Sequence, residues 1–215
     1  MTRYSAQAQL ESGAEELSVP LSSKEVDQLC VYLRLLQKWN KTYNLTALKG
    51  ESEIVALHLL DSITILPHLR GEKHIDVGTG AGLPGLVIAV CRPEWRMTLL
   101  DSNGKKTGFL SQAKLELGLK NVQVVHSRAE GYQPEQRFNG ILSRAFASLK
   151  DMTDNAAHLL ADDGRFWAMK GRYPHEEIEE LDSMYKVEVC QPLRIPDTSA
   201  ERHLVEISRF RENLD

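Results

Sequence analysis

The sequence predicts an α/β fold: a seven-stranded, mostly parallel sheet flanked by helices, with a helical extension in front of it. Three observations carry that prediction. From residue 74 onward, apolar β-rich runs alternate with amphipathic stretches, the pattern of a sheet covered by helices. The first of those runs passes directly into a glycine-rich turn, as a βαβ unit does between its strand and its helix. Ahead of it, two segments place apolar residues at i, i+3, i+4 spacing, which marks helices.

The extension comes first in the chain. Ser22-Ser23-Lys24-Glu25 is a capping-box signature, and Val26, Leu29, Cys30, Leu33 and Leu36 follow at helical spacing, so a helix is expected over 23–39. Residues 40–47 read as a polar connector around Tyr43. A second amphipathic helix over 52–65 carries Ile54, Leu57, Leu60 and Ile63 and stops before Pro67. His58 and Asp61 lie three apart on it and share a face, either as a hydrogen-bonded structural pair or as groups at the rim of a crevice. Residues 1–70 are assigned to this extension and 71–215 to a single structural unit.

His74-Ile75-Asp76-Val77 reads as the first strand, and Gly78, Gly80, Gly82 and Gly85 punctuate the turn that leads into the apolar segment 86–91. A turn of this kind needs positive φ angles and close backbone approach to a ligand, which only glycine permits. Residues 80–85 also satisfy the dinucleotide pattern G-x-G-x-x-G. Asp76 decides between ligands: a carboxylate at the strand mouth repels a diphosphate but attracts the ammonium and sulfonium of S-adenosylmethionine. That cofactor is therefore favoured over NAD.

The second strand, 95–100, ends in Asp101, about twenty residues beyond the turn, where a carboxylate can accept both ribose hydroxyls. A third, 122–126, runs into Ser127-Arg128-Ala129-Glu130, and a fourth, 138–142, into Ser143-Arg144-Ala145-Phe146. Ligands of open parallel sheets bind outside the carboxyl ends of the strands, so these four ends are expected to share one crevice. A helix over 151–161, a strand over 165–170, a charged helix near 174–181 and strands over 186–190 and 203–210 complete the chain.

At 215 residues and 42% hydrophobic content, the chain has material for one sizeable core. Cys30, Cys91 and Cys190 stand alone in apolar stretches without metal-ligand spacing, which reads as buried thiols in a reducing compartment and no metal site. The longest apolar run, 86–91, is far too short to cross a bilayer, so no membrane partner is expected and the protein reads as cytoplasmic.

Taken in order, several motifs identify a family. They are Trp39-Asn40-Lys41-Thr42-Tyr43-Asn44-Leu45-Thr46, His58-Leu59-Leu60-Asp61-Ser62, the segment from Asp76 to Gly85, Leu100-Asp101-Ser102, Ser127-Arg128-Ala129-Glu130, Ser143-Arg144-Ala145, Lys170-Gly171 and Glu201-Arg202-His203-Leu204. From about residue 39 to 210 the chain resembles the bacterial small-subunit ribosomal RNA guanine-N7 methyltransferases, the RsmG or GidB family. The resemblance implies a Rossmann-like class I methyltransferase fold, S-adenosylmethionine as cofactor, and 16S ribosomal RNA or the small ribosomal subunit as partner, acted on by a monomer at N7 of a specific guanine in a decoding-region loop. It also implies that Gly78 and Leu83 line the cofactor cleft with Asp76, Gly80, Gly82, Asp101 and Ser102. Ala129 and Glu130 would contact the adenosine end, and Arg144 would close the site near the methyl donor. One departure is Asn139, at a strand-four position where such enzymes often carry an aspartate.

The residues that are missing point to the same chemistry. An exocyclic-amine methyltransferase usually carries an Asn/Asp-Pro-Pro-aromatic segment after strand four, where this chain has Ser143-Arg144-Ala145-Phe146, and a pyrimidine C5 enzyme needs a cysteine nucleophile at the cleft. Guanine N7 presents a lone pair and no proton, so no general base is required, and neither His58 nor His203 is expected to act as one. Arg144 and Lys170 would then hold the base by its O6 or by an adjacent phosphate.

A net charge of -4 is unusual for an RNA enzyme. The basic residues Arg144, Lys150, Arg165, Lys170, Arg172, Arg194, Arg202 and Arg209 cluster in the second half, whereas Glu176, Glu177, Glu179 and Glu180 mark a solvated helix face. A basic rim that includes Lys170, Arg172, Arg202 and His203 is expected to take the RNA, with a looped-out guanine read by edge contacts and stacking. The other reading is a non-catalytic RNA-binding or ribosome-assembly factor that retains S-adenosylmethionine. A nicotinamide-dependent oxidoreductase is a weaker third.

Overall fold

Residues 5–144, 146 and 148–210 are described by a computed structural model of the chain. Seven strands form one sheet: β1 (Lys73–Val77), β2 (Arg96–Asp101), β3 (Val122–His126), β4 (Phe138–Ser143), β5 (Leu160–Lys170), β6 (Tyr185–Pro192) and β7 (His203–Arg209). They lie in the order β3-β2-β1-β4-β5-β7-β6, and only β7 runs antiparallel to its neighbours. From β1 the chain proceeds outward one way through β2 and β3, then returns to the other side of β1 for β4 and β5. That reversal opens a crevice at the carboxyl ends of β1 and β4, where open α/β sheets bind ligands. The register sets those ends side by side, with Val77 beside Leu100, Asp76 beside Leu142 and Asp101 beside His126.

Eight α-helices accompany the sheet among the described residues: α1 (Ala6–Glu16), α2 (Ser23–Tyr43), α3 (Glu51–Ile54), α4 (Asp61–Ile63), α5 (Gly85–Cys91), α6 (Gly104–Glu116), α7 (Leu149–Ala156) and α8 (His175–Glu179). Strand side chains alternate between two apolar clusters, one on each face. Leu99, Leu142 and Trp167 join α5, α6 and the extension through Leu29, Leu36 and Leu59. Their neighbours Leu100, Ile141 and Phe166 meet Leu149, Met152 and Ile207 on the other side.

The capping box at Ser22 is present: Ser22 Oγ accepts from Glu25 N, and Glu25 Oε2 accepts from Ser22 N at 2.6 Å. The helix it starts runs four residues past the expected end and closes at Asn44, in the left-handed region with φ 49°. Three expectations need correction. Helix α1 was not foreseen because its sequence offers Leu10 but mainly small and polar residues. The small residues have a use, since a Cβ at Gly13 would lie 2.4 Å from Leu60 Cδ1, so α1 crosses close to the chain at residues 55–60. The helix expected over 52–65 is α3 and α4 joined by a π-helical turn, Val55–Leu60. Asn139 lies at the start of β4, away from the crevice, and its Oδ1 accepts from Lys73 N at 3.1 Å, so the departure there concerns no cleft position.

Candidate active site

The turn after β1 is held by backbone and carboxylate hydrogen bonds. Gly78 N and Thr79 N both donate to Leu100 O, at 2.9 and 3.1 Å, and Gly80 N donates to Asp101 Oδ2 at 2.9 Å. Gly78 and Gly80 have φ of 68° and 62°; a Cβ at Gly78 would meet nothing within 4 Å, and one at Gly80 only Gly78 O at 4.0 Å. Open space therefore faces the first two glycines. The later two are packing positions: a Cβ at Gly82 would press on Leu110 and Leu86, and one at Gly85 on Leu99 and Asp76. Leu83, expected to line the cleft, is buried in the core cluster.

Asp76 is not displayed at the strand mouth. It is fully buried, and its Oδ2 accepts from Thr79 Oγ1 at 2.6 Å and from Gly85 N at 2.8 Å, which ties both ends of the loop to β1. Oδ1 has no partner among the described residues. Burial pushes the Asp76 carboxyl up to about 6, against the lowering effect of its two hydrogen bonds. Asp101 likewise serves the fold first: Oδ1 accepts from Asn103 N at 2.9 Å, and Lys106 Nζ stands 3.6 Å from Oδ2. Each of its oxygens retains a lone pair beyond these contacts. Ser102, next in the chain, and Glu130, after β3, are exposed, and Ala129 is buried in a single 3-10 turn.

The corner at the end of β4 is built from charge. Asp61 is fully buried on α4, and two guanidiniums share it: Arg202 Nε at 2.7 Å from Oδ1 and Arg144 Nη1 at 3.4 Å from Oδ2. Burial raises the Asp61 pKa, and the two arginines pull it back down. Arg144 Nη1 also donates to Leu57 O at 3.3 Å, a carbonyl of the π turn. Such turns displace a helix from its regular ladder and recur at functional sites. Of the two readings of His58 and Asp61, a direct pair or groups at the crevice rim, the direct hydrogen bond is absent among the described residues, and Arg144 bridges the two side chains.

His58 fits a single tautomer. Nδ1 donates to Leu57 O at 2.9 Å, with Arg144 Nη1 also 3.3 Å from Nδ1 and bonded to the same carbonyl, so Nε2 accepts from Thr46 Oγ1 at 2.7 Å. Burial and the neighbouring Arg144 charge hold its pKa down at about 4, which keeps the imidazole neutral above that pH.

The basic rim is arranged differently from expectation. Lys170 Nζ forms an ion pair of 2.7 Å with Glu177, and Arg202 is consumed by Asp61; their side chains are only 13% and 17% exposed. Neither projects a free cation. Arg172 is exposed, and His203 lies half-buried with its ring 5.7 Å edge-on from Tyr173. Sequence reasoning also missed Tyr32, a buried residue of α2 whose hydroxyl donates to Ala81 O at 2.7 Å and so fastens the glycine turn to the extension. It missed Thr46 too, although the segment around Tyr43 that contains it stood out.

Residues 25–205 match the family model described as GidB: rRNA small subunit methyltransferase G. The chain belongs to that family. It is 49% identical over 203 residues to a ribosomal RNA small subunit methyltransferase G from Ectopseudomonas mendocina, covering 94% of this chain and 95% of the relative. A relative of the same name from Chromobacterium violaceum is 51% identical over 92% of this chain and 95% of its own. Among solved structures, the glycopeptide N-methyltransferase MtfA superposes with a TM-score of 0.60 at 12% identity, covering 71% of this chain and 94% of that one. TrmN from Thermus thermophilus gives 0.56 at 19% identity, covering 80% and 53%. These two establish the fold alone, which is that of class I S-adenosylmethionine-dependent methyltransferases. The residues present fit that cofactor: open space before Gly78 and Gly80, and a buried carboxylate oxygen on Asp76 still lacking a partner. Among the described residues no His, Cys, Asp or Glu cluster could hold a metal ion, and no helix is long and apolar enough to cross a membrane.

Proposed function

We propose that the chain transfers a methyl group from S-adenosylmethionine to N7 of one guanine in 16S ribosomal RNA, in a decoding-region loop, and that it does so as a cytoplasmic monomer. The relatives' names supply the substrate class. The observation that carries the choice of N7 is the guanidinium of Arg144 at the end of β4, with no free base beside it among the described residues. Asp61 is held by two arginines, His58 is engaged at both nitrogens, and Ser143 Oγ accepts from Phe146 N. Among the described residues around Arg144 no uncommitted proton acceptor stands, which suits an atom that has no proton to lose.

When bound, the cofactor supplies an electrophilic methyl on a sulfonium. The chain's part is alignment and electrostatics. Gly78 and Gly80 let a ligand approach the turn, Asp101 offers its remaining lone pairs to ribose hydroxyls, and Arg144 orients the base or an adjacent phosphate from the edge of the crevice.

The test is mass spectrometry of 16S RNA after incubation of the purified chain with methyl-labelled cofactor and small subunits from cells lacking the gene. One labelled 7-methylguanosine is expected, and its absence would refute the reading. Single-turnover transfer should also be nearly flat between about pH 6 and 9, whereas a required free histidine would impose a limb near about 6.5.

A further inference from the structure

The expected RNA rim is largely consumed in ion pairs, yet a second basic surface exists that the motifs did not reveal. Two cavities flank the loop 44–50 between α2 and α3. One, of 650 Å³, is bordered by Glu51, Glu53 and Asp197 and repels phosphate. The other, of 810 Å³, is bordered by Lys41 and Lys49 with Gln37, Asn40, Asn44 and Thr46, and no carboxylate lines it. That volume is in the range of about 300–1,000 Å³ typical of ligand sites. We propose that this groove holds the RNA strand next to the target guanine, taking phosphates on Lys41 and Lys49 and base edges on the amide side chains of Gln37 and Asn44.

Charge makes the first argument. The chain as a whole carries -4, so polyanion binding needs a local surface free of carboxylates. The ion pairs among the described residues involve neither Lys41 nor Lys49, and both residues are exposed. Stacking makes the second. Tyr43, in the last turn of α2 that also carries Asn40 and Lys41, is 42% exposed, and its ring lies 5.2 Å from Trp39, so it is a braced aromatic face of the kind unpaired bases stack on.

Connection to the reacting end makes the third. Asn40 Oδ1 accepts from Thr46 N at 2.9 Å, and Thr46 Oγ1 accepts from Leu48 N at 3.1 Å, so the groove wall is preformed. The same Thr46 hydroxyl donates to His58 at 2.7 Å, and the His58 ring touches Arg144. A strand lying in the groove is thus two side chains from the guanidinium at the β4 end. The amides and the loop account for a buried His58 whose ring stays neutral: it joins the RNA groove to Arg144.

This inference rests on the RNA-methylating reading, and the experiment separates the two. Wild type, Lys41→Gln/Lys49→Gln and Lys41→Arg/Lys49→Arg are compared for binding of unmethylated naked 16S RNA across salt concentrations, for transfer to small subunits, and for cofactor affinity. For the glutamine pair we expect RNA binding about tenfold weaker at physiological salt and a log–log salt slope shallower by about 1.4, with cofactor affinity unchanged. The arginine pair should bind as wild type does. Tyr43→Ala should weaken RNA binding without altering the slope, because it removes stacking and no charge. Unchanged RNA affinity and slope in the glutamine pair, with wild type still transferring methyl groups, would overturn the groove and leave the function standing. Loss of transfer to small subunits with unchanged naked-RNA binding would mean that a ribosomal protein occupies the groove, and would also overturn it. A wild type that transfers nothing would overturn both.

Discussion

Two buried carboxylates stand at the crevice, and they are stabilised by opposite means. Asp76, at the end of β1, is surrounded by neutral donors, Thr79 Oγ1 and Gly85 N, and keeps one oxygen unpartnered. Asp61, on α4, is clamped between Arg144 and Arg202. The first corner is made of backbone, and its carboxylate suffers from burial. The second is made of side-chain charge, and its carboxylate is what allows two guanidiniums to be packed against the core. Removing each charge therefore tests a different support, guanidinium pairing at Asp61 and neutral donors at Asp76, and that contrast can be broken experimentally.

The largest effect belongs to Asp61. Asp61→Asn keeps the volume but leaves two mostly buried arginines without a counter-ion, and breaking such a pair from one side costs about 3–5 kcal/mol. A loss near the lower end is expected, because Arg144 and Arg202 retain 19% and 17% side-chain exposure. Urea unfolding measures it. A midpoint within error of wild type would show that the arginines do not depend on Asp61, and the contrast between corners would fail.

Asp76 predicts a pH dependence of stability. Its carboxyl rises from an ordinary 3.8 to about 6 in the folded chain, so the folded state binds the proton more tightly than the unfolded state does. Its contribution is fully present below about pH 4 and is lost as pH climbs through 6, a change of about 3 kcal/mol. Asp76→Asn should remove this falling contribution between pH 4 and 7 in urea titrations and leave the rising one of His58 and His74, whose pKa values burial holds down at about 4. A pH profile of stability unchanged by the substitution would assign the effect to another group. Because the cofactor is cationic, its affinity for wild type should rise over the same interval as Asp76 ionises.

The glycine turn sharpens the comparison within one corner. Gly82→Ala forces a Cβ to 2.8 Å from Leu110 and 2.9 Å from Leu86 at φ 94°, combining a left-handed penalty of about 1–2 kcal/mol with overpacking of about 1–3 kcal/mol. Gly78→Ala incurs the first penalty alone. Calorimetry should find the reverse order for ligand binding: Gly78→Ala projects a methyl into the open space and weakens S-adenosylmethionine most. Equal stabilities, or cofactor binding indifferent to Gly78→Ala, would mean that the two glycines do not divide their work in this way.

How much of this was legible in the sequence follows from the distance over which each feature acts. The strands, the turn and the capping box at Ser22 are local, and spacing over a few residues exposes them. The β4 corner joins Thr46, His58, Asp61, Arg144 and Arg202, with Arg202 standing 141 residues from its carboxylate. A basic residue looks the same in sequence whether it faces solvent or an ion-pair partner, which is why Lys170 and Arg202 read as a rim. Helix α1 escaped for another reason. Its contact with the π turn uses Gly13, and periodicity methods register large apolar residues, not the small ones that permit close approach.

The smallest expected effect probes the tie between the extension and the turn. Tyr32 reaches from α2 to Ala81 O with its ring 6.2 Å from Phe109, and Tyr32→Phe preserves that packing while deleting one donor. The buried carbonyl then loses its partner, at a cost of about 1–2 kcal/mol, below the effect at Asp61. Because the bond ends on the turn itself, the loss should be local as well as global. Amide exchange at Gly82, whose N–H donates to Thr79 O at 2.9 Å, should quicken, while amides in β7 keep their protection relative to global unfolding. Gly82 exchange that falls only in step with global stability would show that α2 braces the molecule generally, and that the turn holds its shape through Asp76 and Asp101 without help from the extension.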